Sequence, residues 1–161
     1  MRLDQTAYYC ATDEQALFVK KLFGLENAEW IKDTVVARSK VWDFQEQTNM
    51  AELQFNYSLG GHELEILRYV QGPHWHDPAQ LLGIQYKVPF ISHTGFHLDD
   101  NEDFPAMEGC RLVQETWTVS HTSEYLTKPG SPGFGRKYHY RIFELSPGSY
   151  IKYIKRIPAV K

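Results

Sequence analysis

Hydrophobic and polar positions along the chain alternate with a period of two over most of its length, which predicts strands joined by few helices. Leu3 to Cys10 is rich in strand formers, and Thr12-Asp13-Glu14 then offers a helix N-cap with acidic residues in the first turn. Ala16, Leu17, Val19, Lys20 and Phe23 continue at helical spacing until Gly24 stops the helix. Thr34 to Trp42 reads as a β-branched strand. Ala51 to Leu59 alternates Leu53, Phe55 and Tyr57 on one face, and Gly60-Gly61 turns it into a strand from His62 to Tyr69. The first half therefore predicts βαβββ.

A connection rich in Pro, Gly and His follows from Gly72 to Pro78, with a short helix predicted near Ala79 to Leu82, and the pattern then begins again. Phe90 to Leu98 resembles the first strand, Asp99-Asp100-Asn101 caps a second short helix, and Gly109 sits where Gly24 sat. Arg111 to His121, Arg136 to Leu145 and Ser149 to Ile157 complete a second βαβββ unit. A nearly constant offset of 87 or 88 positions relates Gln5 to His93, Gly61 to Gly148 and Glu65 to Lys152. A repeat this long, present twice, predicts an α+β protein of two fused modules whose curved mixed sheets enclose a cup-shaped, barrel-like cavity. The expected boundaries are 1–70 and 89–161, with 71–88 connecting them in a single domain.

Composition narrows the partners. With 161 residues the chain buries about 70% of its unfolded surface, enough for a core without disulfide staples. Seventeen Lys and Arg against 20 Asp and Glu give a net charge of −3, so no nucleic-acid or anionic-membrane footprint is expected. No apolar run approaches the length that spans a bilayer, and the start lacks the apolar region of a signal peptide. These features predict a cytoplasmic protein and leave small-molecule or protein partners, and the two cysteines, Cys10 and Cys110, are expected reduced.

The order of elements, together with Leu3-Asp4-Gln5-Thr6, Leu22-Phe23-Gly24-Leu25, Glu63-Leu64-Glu65-Ile66-Leu67, Ile91-Ser92-His93-Thr94-Gly95-Phe96 and the turn Ser146-Pro147-Gly148-Ser149-Tyr150-Ile151, resembles the vicinal oxygen chelate superfamily. That superfamily includes glyoxalase I, extradiol dioxygenases, fosfomycin-resistance enzymes and bleomycin-binding proteins. The resemblance covers the whole chain. It implies four metal ligands, one from the first and last strand of each module, and selects Gln5, Glu65, His93 and Lys152.

Gln5, Glu65 and His93 are chemically suited to one divalent ion such as Zn, Ni, Mn or Fe. Lys152 breaks the pattern, because an ammonium has no lone pair to donate. Two functions follow as expectations. In the first, a metal-dependent lyase, isomerase or dioxygenase polarises adjacent substrate oxygens at the metal, and Glu65 or His97 moves a proton. In the second, Lys152 takes the metal's place beside Glu65 and the cavity binds or sequesters a ligand without a metal. An interaction protein whose cup is filled by its own side chains is a third reading. A slip in the alignment would instead bring Tyr150 or Glu144 to the position of Lys152.

Strand alternation supports the mapping, since Glu63, Glu65 and Leu67 share one face and Tyr150, Lys152 and Ile154 share another. Trp117, His121, Tyr138 and Tyr150, with Lys152, are the expected substrate-binding wall, their rings suited to a planar ligand. Packing is the plainer role for such aromatics. His74-Trp75-His76-Asp77 has a spacing that could clip a metal but reads first as a polar connecting loop. No nucleophile elbow or phosphate loop is present. Residues Glu124 to Gly135 form a Gly/Pro-rich loop expected near the cup mouth. Two-fold assemblies are common among relatives, so a homodimer is also an expectation.

Overall fold

In the computed structural model, residues 1–41, 46–71, 89–146 and 148–157 are described. Among the described residues, eight strands occur in the order β1 (Arg2–Tyr9), β2 (Ile31–Val41), β3 (Gln47–Leu59), β4 (His62–Gln71), β5 (Phe90–His97), β6 (Arg111–Ser120), β7 (Lys137–Ser146) and β8 (Ser149–Ile157). Helix α1 (Asp13–Leu22) lies between β1 and β2, and α2 (Glu124–Thr127) lies between β6 and β7. The strands close into one mixed barrel in the order β1-β4-β3-β2-β6-β7-β8-β5.

The arrangement has an internal correspondence. Each half contributes four neighbouring strands, β1-β4-β3-β2 and β5-β8-β7-β6. The first and last strands of each half run parallel, with Gln5 opposite Glu63 in one and Gly95 opposite Lys152 in the other. All other neighbours are antiparallel, and the halves are joined by β1 to β5 and by β2 to β6. Among the described residues, full closure leaves no open sheet edge.

Helix α1 forms as its sequence dictates. Thr12 caps it by accepting a hydrogen bond from the Gln15 amide at 3.2 Å, and Asp13 and Glu14 face the positive end of the helix dipole. After the helix, Gly24 adopts φ 66°, a conformation costly for any residue with a Cβ. Ala16 and Val19 are buried on α1 in a cluster with Cys10, Leu25, Trp30, Leu64 and Ile66, so the helix seals the outer face of β4. Each large apolar side chain buried there contributes about 1.5–3 kcal/mol. Cys10 and Cys110 are both free thiols, and burial pushes the Cys10 thiol up to about 12.

The second half differs where the sequence predicts its helix. From Asp99 to Gly109 the chain runs through turns, and Phe104 and Met107 from this segment pack against Leu98, Phe143 and Tyr153 on the outer barrel face. The loop therefore does what α1 does in the first half. Pro105 and Gly109 within so short a span leave no room for a stable helix of the usual length. The tract from His74 to Asp77, the helix predicted near 79–82, and the ends of the predicted elements at Trp42 and Pro147 lie outside the described residues. Among the described residues, no helix is long and apolar enough to cross a membrane.

Candidate functional site

The barrel encloses a cavity of about 120 Å³. Strand alternation decides what lines it. The inward positions include Ile31, Val35, Leu53, Phe55, Ile142 and Ile154, which make an apolar wall. Against this wall stands a polar cluster drawn from β1, β4, β5 and β8: Gln5, Glu63, Glu65, His93, His97 and Lys152. The interior is thus apolar with a few convergent polar groups, the usual make-up of a small-molecule site.

Gln5 is the centre of the cluster. Its Nε2 donates to Glu63 Oε1 at 2.6 Å and to Glu65 Oε2 at 3.1 Å, while its Oε1 lies 3.1 Å from His93 Nε2. The amide orientation is fixed by chemistry, because turning it over would aim a carbonyl oxygen at two carboxylates. His93 Nε2 accordingly donates to Gln5, and His93 Nδ1 lies 3.0 Å from the Ser92 hydroxyl. Gly95 on β5 makes room for this: a Cβ there would lie 2.5 Å from Gln5 Oε1.

Both carboxyls are held above their usual range. For Glu63 burial is the main cause, followed by repulsion from Glu65, with Gln5, His97 and Lys152 pulling the other way. For Glu65 burial again dominates against attraction to Lys152. Tyr57 donates to Glu63 Oε2 at 3.1 Å. His97 Nε2 lies 3.5 Å from Asp4 and 3.9 Å from Glu63; burial lowers its pKa and outweighs these carboxylates, so the ring is neutral near pH 7. Lys152 is buried, and its ammonium sits 4.2 Å from the centre of the Tyr140 ring. It makes no ion pair within 4.0 Å among the described residues, so it acts on Glu65 through space instead of by direct contact.

A divalent ion needs lone pairs converging on one point. Here the Gln5 oxygen faces His93 Nε2, the carboxylate oxygens face the Gln5 amide, and the fourth position carries an ammonium. Among the described residues, no group of three His, Cys, Asp or Glu side chains is placed to hold a metal. The donor set in this arrangement does not fit a divalent cation.

The structure brings Gln5, Glu65, His93, His97, Lys152, His121 and Tyr138 to one cavity. Trp117 and Tyr150 lie elsewhere. Trp117 points outward from β6, where its ring stacks on His139 at 5.0 Å, and Tyr150 packs against Val113 and Ile142. A register shift separates Trp117 from His121: Ala37 pairs with Thr118 and Val36 with Ser120, so β6 has one extra residue. Such a bulge exchanges the two faces beyond it, turning His121 inward although it shares Trp117's odd-numbered parity.

Sequence reasoning missed Asp33, which stands buried on the inward face of β2 beside His121. The predicted strand began at Thr34, whereas β2 begins at Ile31. Read from there, Ile31, Asp33, Val35 and Ala37 form one face, and a lone carboxylate among apolar residues was the available signal. At the same end of the cavity the segment after β6 forms a cap whose Tyr125 and Leu126 join the lining. Ser131 Oγ donates to Tyr125 O at 2.6 Å, and Gly135 N to Leu126 O at 3.0 Å, closing the cap on itself. No protein-family model and no curated protein sequence gives a significant match to the chain.

Proposed function

We propose that the protein binds a small, uncharged organic molecule inside the barrel without a metal ion, on a frame of two fused βαβββ modules similar to the glyoxalase and bleomycin-resistance proteins. The observation that carries this reading is the pairing of the expected ligands: Gln5 holds Glu65 and His93, and also Glu63, by hydrogen bonds, with Lys152 nearby. The matching strand order of the halves supports duplication, although a loop replaces the helix of the second module. In this reading the apolar wall supplies affinity, and the polar cluster orients oxygen or nitrogen atoms of the ligand.

Calorimetric titration with indole, benzaldehyde and 4-nitrophenol tests this. Binding in the micromolar to millimolar range is expected, with loss in Leu53→Trp, whose larger ring would fill the cavity. No binding of any probe, or equal binding in the filled variant, would overturn the reading.

Turnover is a second reading, favoured by the raised pKa values of Glu63 and Glu65. A buried carboxyl that keeps its proton toward neutral pH is a suitable general acid for isomerase or lyase chemistry. Screening carbonyl compounds with the native protein and Glu63→Gln distinguishes turnover from binding.

A further inference from the structure

Asp33 and His121 form a hydrogen-bonded pair at the cap end of the cavity, separate from the Gln5 cluster. His121 Nδ1 lies 2.6 Å from Asp33 Oδ2, and Asp33 Oδ1 accepts the backbone amides of Thr122 and Ser123, each at 2.9 Å. The Asp33 side chain is wholly buried. Burial pushes its pKa up, but the hydrogen bonds from His121 and from the Ser123 and Thr122 amides outweigh burial and keep it below the ordinary range. An ionised Asp33 can only accept, so His121 donates through Nδ1, and in the neutral ring Nε2 carries the lone pair.

That second nitrogen has no hydrogen-bond partner among the described residues, although nine-tenths of the His121 side chain is buried. An unpaired buried acceptor is costly, because its lost hydration is not replaced. Pinning the cap to β2 would not require this cost, since Asp33 already holds the cap through two backbone amides. The β6 bulge turns His121 into the cavity, where the edge of its ring meets Tyr138 at a centroid distance of 6.5 Å. Half-buried Arg136 stands against this aromatic group, 5.9 Å from the Tyr125 ring centre.

We propose that Asp33 and His121 are a general-base pair: His121 Nε2 takes the proton from the weakly acidic hydroxyl of a planar molecule bound between the barrel wall and the cap. This rests on the proposed binding of a small organic molecule in the barrel. In the step, the ligand O–H bond breaks as an N–H bond forms at His121 Nε2, and the electron pair stays on the ligand oxygen. The imidazolium is compensated by Asp33, and the new oxyanion lies beside Tyr138, which lines the cavity and has Arg136 as a hydrogen-bond partner. His121 would touch the ligand. Asp33 is a positioning residue, fixing the tautomer and the ring plane.

The probe is 4-nitrophenol, whose neutral and anionic forms have distinct absorption bands. At a pH where the free probe is mainly neutral, the bound probe is expected to show the phenolate band, and His121→Gln should bind it with about a tenfold lower phenolate-to-phenol ratio. A phenolate band undiminished in His121→Gln, or a neutral bound probe in the native protein, would overturn the base assignment while leaving the binding proposal standing. No binding at all would remove both. Independently of ligand and of that variant, long-range 1H–15N NMR of the native protein should find His121 protonated at Nδ1, moving to Nε2 in Asp33→Asn. Protonation at Nε2 alone in the native protein would overturn the proposal.

Discussion

The two parallel strand pairs of the barrel share a backbone plan but carry opposite chemistry. From β1 and β4 come an amide and two carboxyls, Gln5, Glu63 and Glu65, whereas β5 and β8 supply His93 and Lys152, at the positions corresponding to Gln5 and Glu65, and His97 beside them. Where the two pairs meet, Gly95 on β5 lies directly across from Gln5 on β1 and, lacking a side chain, leaves room for Gln5 to reach His93. The difference teaches that the site is built from one acidic and one basic half that complete each other. Neither half could stay buried alone, because unpaired buried charge is costly.

The comparison breaks most completely at Gly95. Gly95→Val would drive side-chain atoms into Gln5 and is expected to destabilise the protein by about 3 kcal/mol in urea unfolding. Lys152→Met removes the buried cation of the basic half. It should cost about 2 kcal/mol at pH 8 and progressively less as pH falls and the carboxyls take up protons, so that they need the counter-charge less.

The acidic half gives a pH signature. Because Glu63 and Glu65 are raised in the folded state, the native protein binds more protons than the unfolded chain above the ordinary carboxyl value of 4.5. Stability is therefore highest near or below that value and falls as pH rises through the folded pKa values. Glu65→Gln should flatten this fall and gain about 1 kcal/mol at pH 8, read from urea midpoints across pH 5–8. Asp33 has the opposite sign: its lowered pKa adds stability above 3.8 that disappears as pH falls through its folded value. Asp33→Asn should cost about 1–2 kcal/mol at pH 7 and progressively less in acid. The smallest effect belongs to the outer face, where Trp117→Phe is expected to leave 4-nitrophenol affinity within about twofold of native.

Much of this was legible in the sequence because strand alternation and turn glycines are local signals. The eight strands, the capped helix α1 and the facing of Glu63 with Glu65 follow from residue spacing. What escaped depended on non-local or irregular geometry. The β6 bulge is one residue long and has no composition signal, yet it sends Trp117 outward and His121 inward. Asp33 was hidden by a strand boundary three residues off, and the second-half helix by capping residues that were followed by too few helical positions. Lys152 could be identified as the exception to a metal-binding pattern, but its seat over Tyr140, instead of against Glu65, is a three-dimensional fact.

The central claim is that the ammonium of Lys152 and the mutual pairing of Gln5, Glu65 and His93 stand where a metal would otherwise sit. It is tested most directly by calorimetric titration of the native protein and Lys152→Glu with Zn, Ni, Mn and Fe(II), followed by elemental analysis after gel filtration. The account predicts no retained metal in the native protein and about one ion per chain in Lys152→Glu, where a carboxylate joins Glu65 and His93. One divalent ion per native chain, lost in Glu65→Gln or His93→Ala, would contradict it.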